Sequence, residues 1–132
     1  MRAIAFGWTC SALLVGRKTV TRRAWKDNWA QQFADGDLVA AYDRQARYGG
    51  HEVAMIKLVG RPHKQSTRDA PESDYEEEGF AYLESIGAKV DGHSPRTLWR
   101  AWHLYPQEMW VVRFSLIGPP AREIAQLALE MA

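Results

Sequence analysis

A lysine and a threonine stand three residues apart in Gly16-Arg17-Lys18-Thr19-Val20-Thr21-Arg22-Arg23, the stretch where charge, hydroxyls and a glycine concentrate. A lysine amine acts as base or nucleophile only when its pKa is lowered, and burial or neighbouring cations such as Arg17, Arg22 and Arg23 lower it. A threonine hydroxyl attacks a carbonyl only once a base removes its proton, so Lys18 beside Thr21 would make an activated pair. Against this stands the ordinary use of both residues: a lysine in a basic run is usually a solvated charge, and a strand threonine is usually there for propensity. The backbone on either side favours a rigid placement. Thr9 to Val15 is long enough for two helical turns, with Thr9 or Ser11 to cap them and Gly16 to end them. Thr19, Val20 and Thr21 are β-branched and favour extended chain. Lys18 and Thr21 are therefore expected at a helix–strand junction.

The rest of the chain must position that junction. Its 132 residues, with 46% hydrophobic and 25% charged, suit one soluble domain with a single core. A formal net charge of +1 argues against a surface covered in phosphate-neutralising cations, so any nucleic-acid contact must be local. Arg17, Lys18, Arg22, Arg23 and Lys26 fall in one acid-free run, opposed further on by Glu72, Asp74, Glu76, Glu77 and Glu78, and most members of these blocks are expected to face solvent or pair with each other. Cys10 is the sole cysteine and excludes an intrachain disulfide. With no signal-peptide pattern and no membrane-length apolar run, the expected location is the cytoplasm. His51, His63, His93 and His103 share no ligand spacing, so no metal and no cofactor are expected. There is neither a phosphate-binding glycine loop nor a Gly-x-Ser-x-Gly elbow.

Taken in order, Ala3–Phe6 reads as a short strand, and Trp25, Trp29 and Phe33 fall on one face of a helix. Leu38–Asp43 and His51–Val59 read as strands, the second apolar on both faces. The polar segment from Gly60 through Pro71 reads as a loop. A helix is expected from about Asp74 to Ile86, capped by Ser73 or Asp74, with an interior Gly79 that close approach of another backbone or of a ligand would explain. Ser94-Pro95 opens a short helix carrying Leu98, Trp99 and Trp102. Met109–Ile117 is the strongest strand, with Trp110, Val112, Phe114 and Leu116 alternating onto one face and Arg113 on the other. Pro119-Pro120 leads a final helix, about 120–131, striped with Ile124, Leu127, Ala128 and Met131, to close the barrel or join copies. The fold class is α+β, a small, mostly antiparallel barrel of five or six strands flanked by helices.

The Gly16–Arg23 stretch, the turn Gly36-Asp37-Leu38-Val39 and the segment Glu78-Gly79-Phe80-Ala81-Tyr82-Leu83-Glu84 together resemble the ASCH domain family, small barrels related to the PUA RNA-binding fold. The resemblance spans roughly residues 3–117 and leaves the final helix outside it. It implies a PUA-like barrel. Members include N4-acetylcytidine amidohydrolases, and their catalytic lysine, threonine and glutamate carry over here onto Lys18, Thr21 and Glu78. The implied reaction removes the acyl group from an N4-acylated cytosine nucleoside, with Thr21 either attacking or positioning water, Glu78 passing a proton to the amine, and Arg22 or a backbone donor on the oxyanion. The protein would act as a monomer or weak homodimer on a small-molecule substrate. Other members bind or cleave RNA. In that reading Arg17, Lys18, Arg22 and Arg23 hold phosphates while Trp8 or Tyr42 stacks a base, so Arg22, Arg23, Trp8 and Tyr42 are the substrate-binding candidates.

Overall fold

The computed structural model describes Met1–Met131, the Ile124 side chain apart. Its organising element is β6, Glu108–Gly118, the strand the sequence marks most strongly. Eleven residues give β6 length to pair along both edges. One edge carries β2, Val20–Arg23; along the other, β4, Glu52–Leu58, and β5, His63–Ser66, lie end to end, separated by Val59 to Pro62. Beyond β4 come β3, Leu38–Tyr42, and then β1, Ala3–Ala5, giving the order β1-β3-β4-β6-β2 with β5 beside β6. All named pairings are antiparallel except that of β1 with β3.

The sheet is therefore mixed and open. Among the described residues no ladder joins β1 to β2, so the barrel is corrected to an open six-stranded mixed sheet with helices, in which antiparallel pairing predominates. The two edges do not meet: β1 ends after three residues, and a cavity lined by Ala3 to Ala5, Arg23 and Trp25 lies beside it. Arg23 sits with its guanidinium 5.2 Å from the Phe6 ring centroid, a cation–π contact across that seam.

Two apolar clusters hold the domain. The first lies against the sheet and contains Ile4, Phe6, Leu13, Phe33, Ile56, Leu58, Val112 and Phe114. Val112 and Phe114 enter it as alternation requires, whereas Leu116 is more than a third exposed where β6 runs out toward its end. The second lies among α3, Ser73–Glu77, α4, Phe80–Ser85, and α5, Pro95–Leu104, where Tyr75, Phe80, Trp99 and Trp102 pack edge-on or tilted around Leu83. The short helix α1, Cys10–Leu14, links the two, giving Leu13 to the first and Ala12 to the second.

Several expectations need correction. The expected loop before Pro71 contains β5, whose polar residues are held by backbone register on β6. The helix from Asp74 to Ile86 is two helices, because Gly79 takes a left-handed φ of 86° and ends the first. Glu72 rather than Ser73 or Asp74 occupies the N-cap, and no side chain caps there. Thr9 donates its hydroxyl hydrogen to Phe6 O instead of capping α1. The helix after β2 spans only Asp27–Ala30 (α2), although Trp25 still stacks on Phe33 at 5.0 Å with Trp29 edge-on to both. Ser94 caps α5 as expected, accepting from Thr97 N, with Pro95 in its first turn. The last helix, α6, Ala121–Met131, leaves Leu127, Leu129 and Met131 exposed and does not close the sheet; the Ile124 side chain of its expected stripe lies outside the described residues. Among the described residues no helix is long and apolar enough to cross a membrane.

Candidate active site

Gly16, at φ 78°, reverses the chain after α1, and the N–H groups of Arg17 and Lys18 both donate to Ala12 O. This tight wrap turns the Lys18 side chain inward, where it is 2% exposed. Opposite it, Gly79 makes the α3–α4 elbow. A Cβ at Gly79 would lie 2.5 Å from the Ala12 Cβ and 3.2 Å from the Lys18 Cβ, so the missing side chain lets the elbow press against the lysine turn. Thr19 N donates to Glu77 O at 2.7 Å and fixes the approach.

Glu78, at the elbow, meets Lys18. Lys18 Nζ donates to Glu78 O at 2.9 Å and to Glu78 Oε1 at 3.1 Å. Arg22 Nη1 donates to Glu78 Oε2 at 2.7 Å, and Arg22 Nη2 donates to Asp74 Oδ2 at 2.6 Å and to Gln65 Oε1 on β5. Arg113 extends the cluster from β6, donating to both oxygens of Asp74 and to Glu77. Outside, Arg17 forms a two-bond pair with Glu76. The basic and acidic blocks thus pair with each other, as expected. Arg22 is left with one buried donor, Nε, that has no partner among the described residues.

The electrostatics follow from this burial. Desolvation pushes the Lys18 amine below its ordinary value; the Glu78 carboxylate pulls the other way, and Arg23 and Arg22 reinforce the lowering. Burial opposes ionisation of Asp74, yet hydrogen bonds from Arg113 and Arg22 hold its carboxyl below the usual range.

Lys18, Thr21, Arg22, Arg23 and Glu78 line a cleft of about 180 Å³ with apolar walls that include Phe6, Phe80 and Trp102. Trp8 stands at its rim, 62% exposed. The structure thus brings together six of the seven sequence-derived residues. Tyr42 is the exception: a register irregularity in β3 between Ala41 and Tyr42 accompanies its placement in a separate cavity behind Arg23. Lys18 and Thr21 line the same cleft without a hydrogen bond between them. Lys18 is hydrogen-bonded to Glu78, while Thr21 Oγ1 accepts from Arg23 Nε at 3.1 Å. Asp74, Arg113 and Gln65 were missed as supports of the site. The i, i+4 spacing of Asp74 and Glu78 could have marked two acids on one helical face, both reaching Arg22. Among the described residues no three His, Cys, Asp or Glu side chains converge as a metal site. His103 is taken up by the carbonyls of Trp99 and Ala70.

No protein-family model and no curated protein matches the chain. Among solved structures it is similar to the crystal structure of protein EF3133 from Enterococcus faecalis V583, described under the family model DUF984, with a TM-score of 0.57 and 16% identity over 91% of this chain and 82% of that one. At that identity the likeness establishes the fold and says nothing of the chemistry.

Proposed function

We propose that the cleft hydrolyses the amide of an N4-acylated cytosine nucleoside, with Thr21 as nucleophile, Lys18 and Glu78 as the proton-moving pair and Arg22 on the oxyanion. The observation that carries this reading is a lysine buried against a glutamate on the floor of a cleft that also holds a hydroxyl. Two positions on Lys18 Nζ are engaged by Glu78, leaving the third to exchange a proton. Thr21 Oγ1 uses a lone pair to accept from Arg23, so its own hydrogen stays available and the charge developing on oxygen is stabilised.

In the first step Lys18, in the deprotonated form that its lowered pKa makes accessible, takes the Thr21 proton as Oγ1 bonds to the acyl carbon, and the carbonyl π electrons move onto oxygen, where the charge of Arg22 stabilises them. Collapse of that oxyanion breaks the carbon–N4 bond, and N4 leaves with a proton from the Lys18–Glu78 pair. Water then attacks the Thr21 ester, gives its proton to the pair and releases the carboxylic acid, restoring the threonine. One water is consumed, and the products are a cytosine amine and an acid. Apolar walls suit an uncharged base and its short acyl group. A PUA-like relationship of the open sheet belongs to the same proposal.

The competing reading, a phosphate-tracking surface built from Arg17, Lys18, Arg22 and Arg23, is weakened because the first three are already paired with carboxylates. The deciding experiment incubates the protein with N4-acetylcytidine and separates cytidine chromatographically. Turnover should be abolished by Lys18→Arg, because a guanidinium cannot accept a proton at working pH, and by Thr21→Ala, while Thr21→Ser keeps a measurable fraction. No cytidine from the folded protein, or full turnover by Lys18→Arg, overturns the assignment.

A further inference from the structure

Arg23 differs from the other cations around the cleft. Arg17, Arg22 and Arg113 each meet a carboxylate, but among the described residues Arg23 has no acidic partner within salt-bridge distance. Its Nε donates to Thr21, and neither terminal nitrogen has an acceptor among the described residues. Burial lowers its pKa to about 10, with Glu78 opposing, which leaves the guanidinium charged at neutral pH.

The same side chain lines a second cavity of about 360 Å³, twice the size of the cleft. This space occupies the open seam between the free edges of β1 and β2. Its walls include Ala3 to Ala5, Trp25, Trp29, Tyr42 and Gln45. A mostly buried, unpartnered cation at the entrance to an aromatic chamber is a site for an anion attached to a planar ring.

We propose that Arg23 receives the phosphate of a phosphorylated cytidine whose base lies in the cleft, and that the seam cavity stacks the adjoining base when that phosphate belongs to a nucleic-acid strand. The inference rests on the proposed function for the identity of the base in the cleft. It makes the substrate a nucleotide or RNA residue instead of a bare nucleoside.

Unacylated ligands test this without any need for turnover. Binding of cytidine, cytidine 5′- and 3′-monophosphates and the dinucleotides CpA and ApC is followed by tryptophan fluorescence and calorimetry at low and high salt. At least one monophosphate should bind about tenfold or more tightly than cytidine, since a charge-assisted bond to phosphate has no protein partner to displace. That advantage should shrink with salt and vanish in Arg23→Gln, while near-ultraviolet circular dichroism and a thermal melt report an intact fold. A strand substrate predicts that a dinucleotide exceeds the monophosphate and that Tyr42→Ala and Trp29→Ala remove the excess. A monophosphate advantage without that excess assigns the site to mononucleotides. Equal affinity for cytidine, its monophosphates and both dinucleotides overturns the inference, as does a phosphate advantage untouched by Arg23→Gln. Deacylation of the free nucleoside with no phosphate advantage refutes this inference alone. Phosphate-dependent binding with no deacylation refutes the amidohydrolase alone.

Discussion

Substituting each member of the buried pair in turn separates a lysine kept for chemistry from one kept to hold the fold. Lys18 and Glu78 are almost wholly removed from solvent, but their roles in the charge cluster differ. Glu78 neutralises two cations, Lys18 and Arg22, whereas Lys18 has one carboxylate partner that keeps Arg22 if the lysine is removed. Glu78→Gln therefore strands a buried ammonium and should cost about 3–5 kcal/mol. At about 4 °C per kcal/mol for a domain of this size, that lowers the melting temperature by roughly 12–20 °C. Lys18→Met removes a desolvated charge, fills a similar volume and leaves Glu78 O without its donor, a loss of about 1–3 kcal/mol that relief of desolvation offsets. Its net effect should stay within about 1.5 kcal/mol of the parent. The pH dependence has a definite sign. Because the folded amine titrates below the unfolded one, the unfolded chain binds more protons between the two values, and stability rises with pH across that window, up to the ordinary lysine value of about 10.4. Glu78→Gln removes the attraction that opposes the lowering, so its deficit should narrow as pH rises from neutral toward 10. Urea melts of the three proteins across this range provide the measurement. If Lys18→Met loses as much stability as Glu78→Gln, the lysine is a structural member of the cluster and the reasoning fails.

Two further perturbations probe the elbow and the rim. Gly79→Ala must place a Cβ in left-handed backbone, about 1–2 kcal/mol, and against the Ala12 Cβ at 2.5 Å, about 1–3 kcal/mol more, so a fall of about 2–5 kcal/mol is expected at unchanged m-value in denaturant melts. Trp8→Ala removes an exposed ring and should change stability by no more than about 0.5 kcal/mol while raising KM for N4-acetylcytidine, which steady-state kinetics beside a thermal melt will resolve.

What the sequence made legible was local. Lys18 and Thr21 sit where a helix stop meets β-branched residues, and that pattern places both at a helix–strand junction, which in the structure lines the cleft. Ser94-Pro95 announced a helix start, and the alternation of Val112 and Phe114 announced a core strand. What stayed hidden depended on distant partners. His63-Lys64-Gln65-Ser66 has no apolar period, and only hydrogen bonding to Glu108–Val111 makes it a strand. Tyr42 ends β3 beside a register irregularity, and position on a strand does not specify which of two adjoining cavities receives the ring. Gly79 was legible as a close approach, whereas the left-handed backbone that splits the helix was not, since a glycine inside a helical pattern fits either state.

Asp74 shows how the same limit bears on function. In one dimension it is an acid in the first turn of a helix, sufficiently explained by the helix dipole. In three dimensions it is fully buried, accepting from Arg22 and Arg113 and thereby holding the guanidinium that binds the second oxygen of Glu78. Stability alone does not require so many charges inside a small domain, because apolar residues of equal volume commonly serve as well or better. The arrangement is graded, too. Arg113 and Glu77 sit partly in solvent, while Asp74, Arg22, Glu78 and Lys18 behind them are all buried, the last two lining the cleft together with Thr21. Each outer pair orients the next, so the carboxylate facing the lysine is held in one geometry, which is the preorganisation that the proposed proton transfer requires.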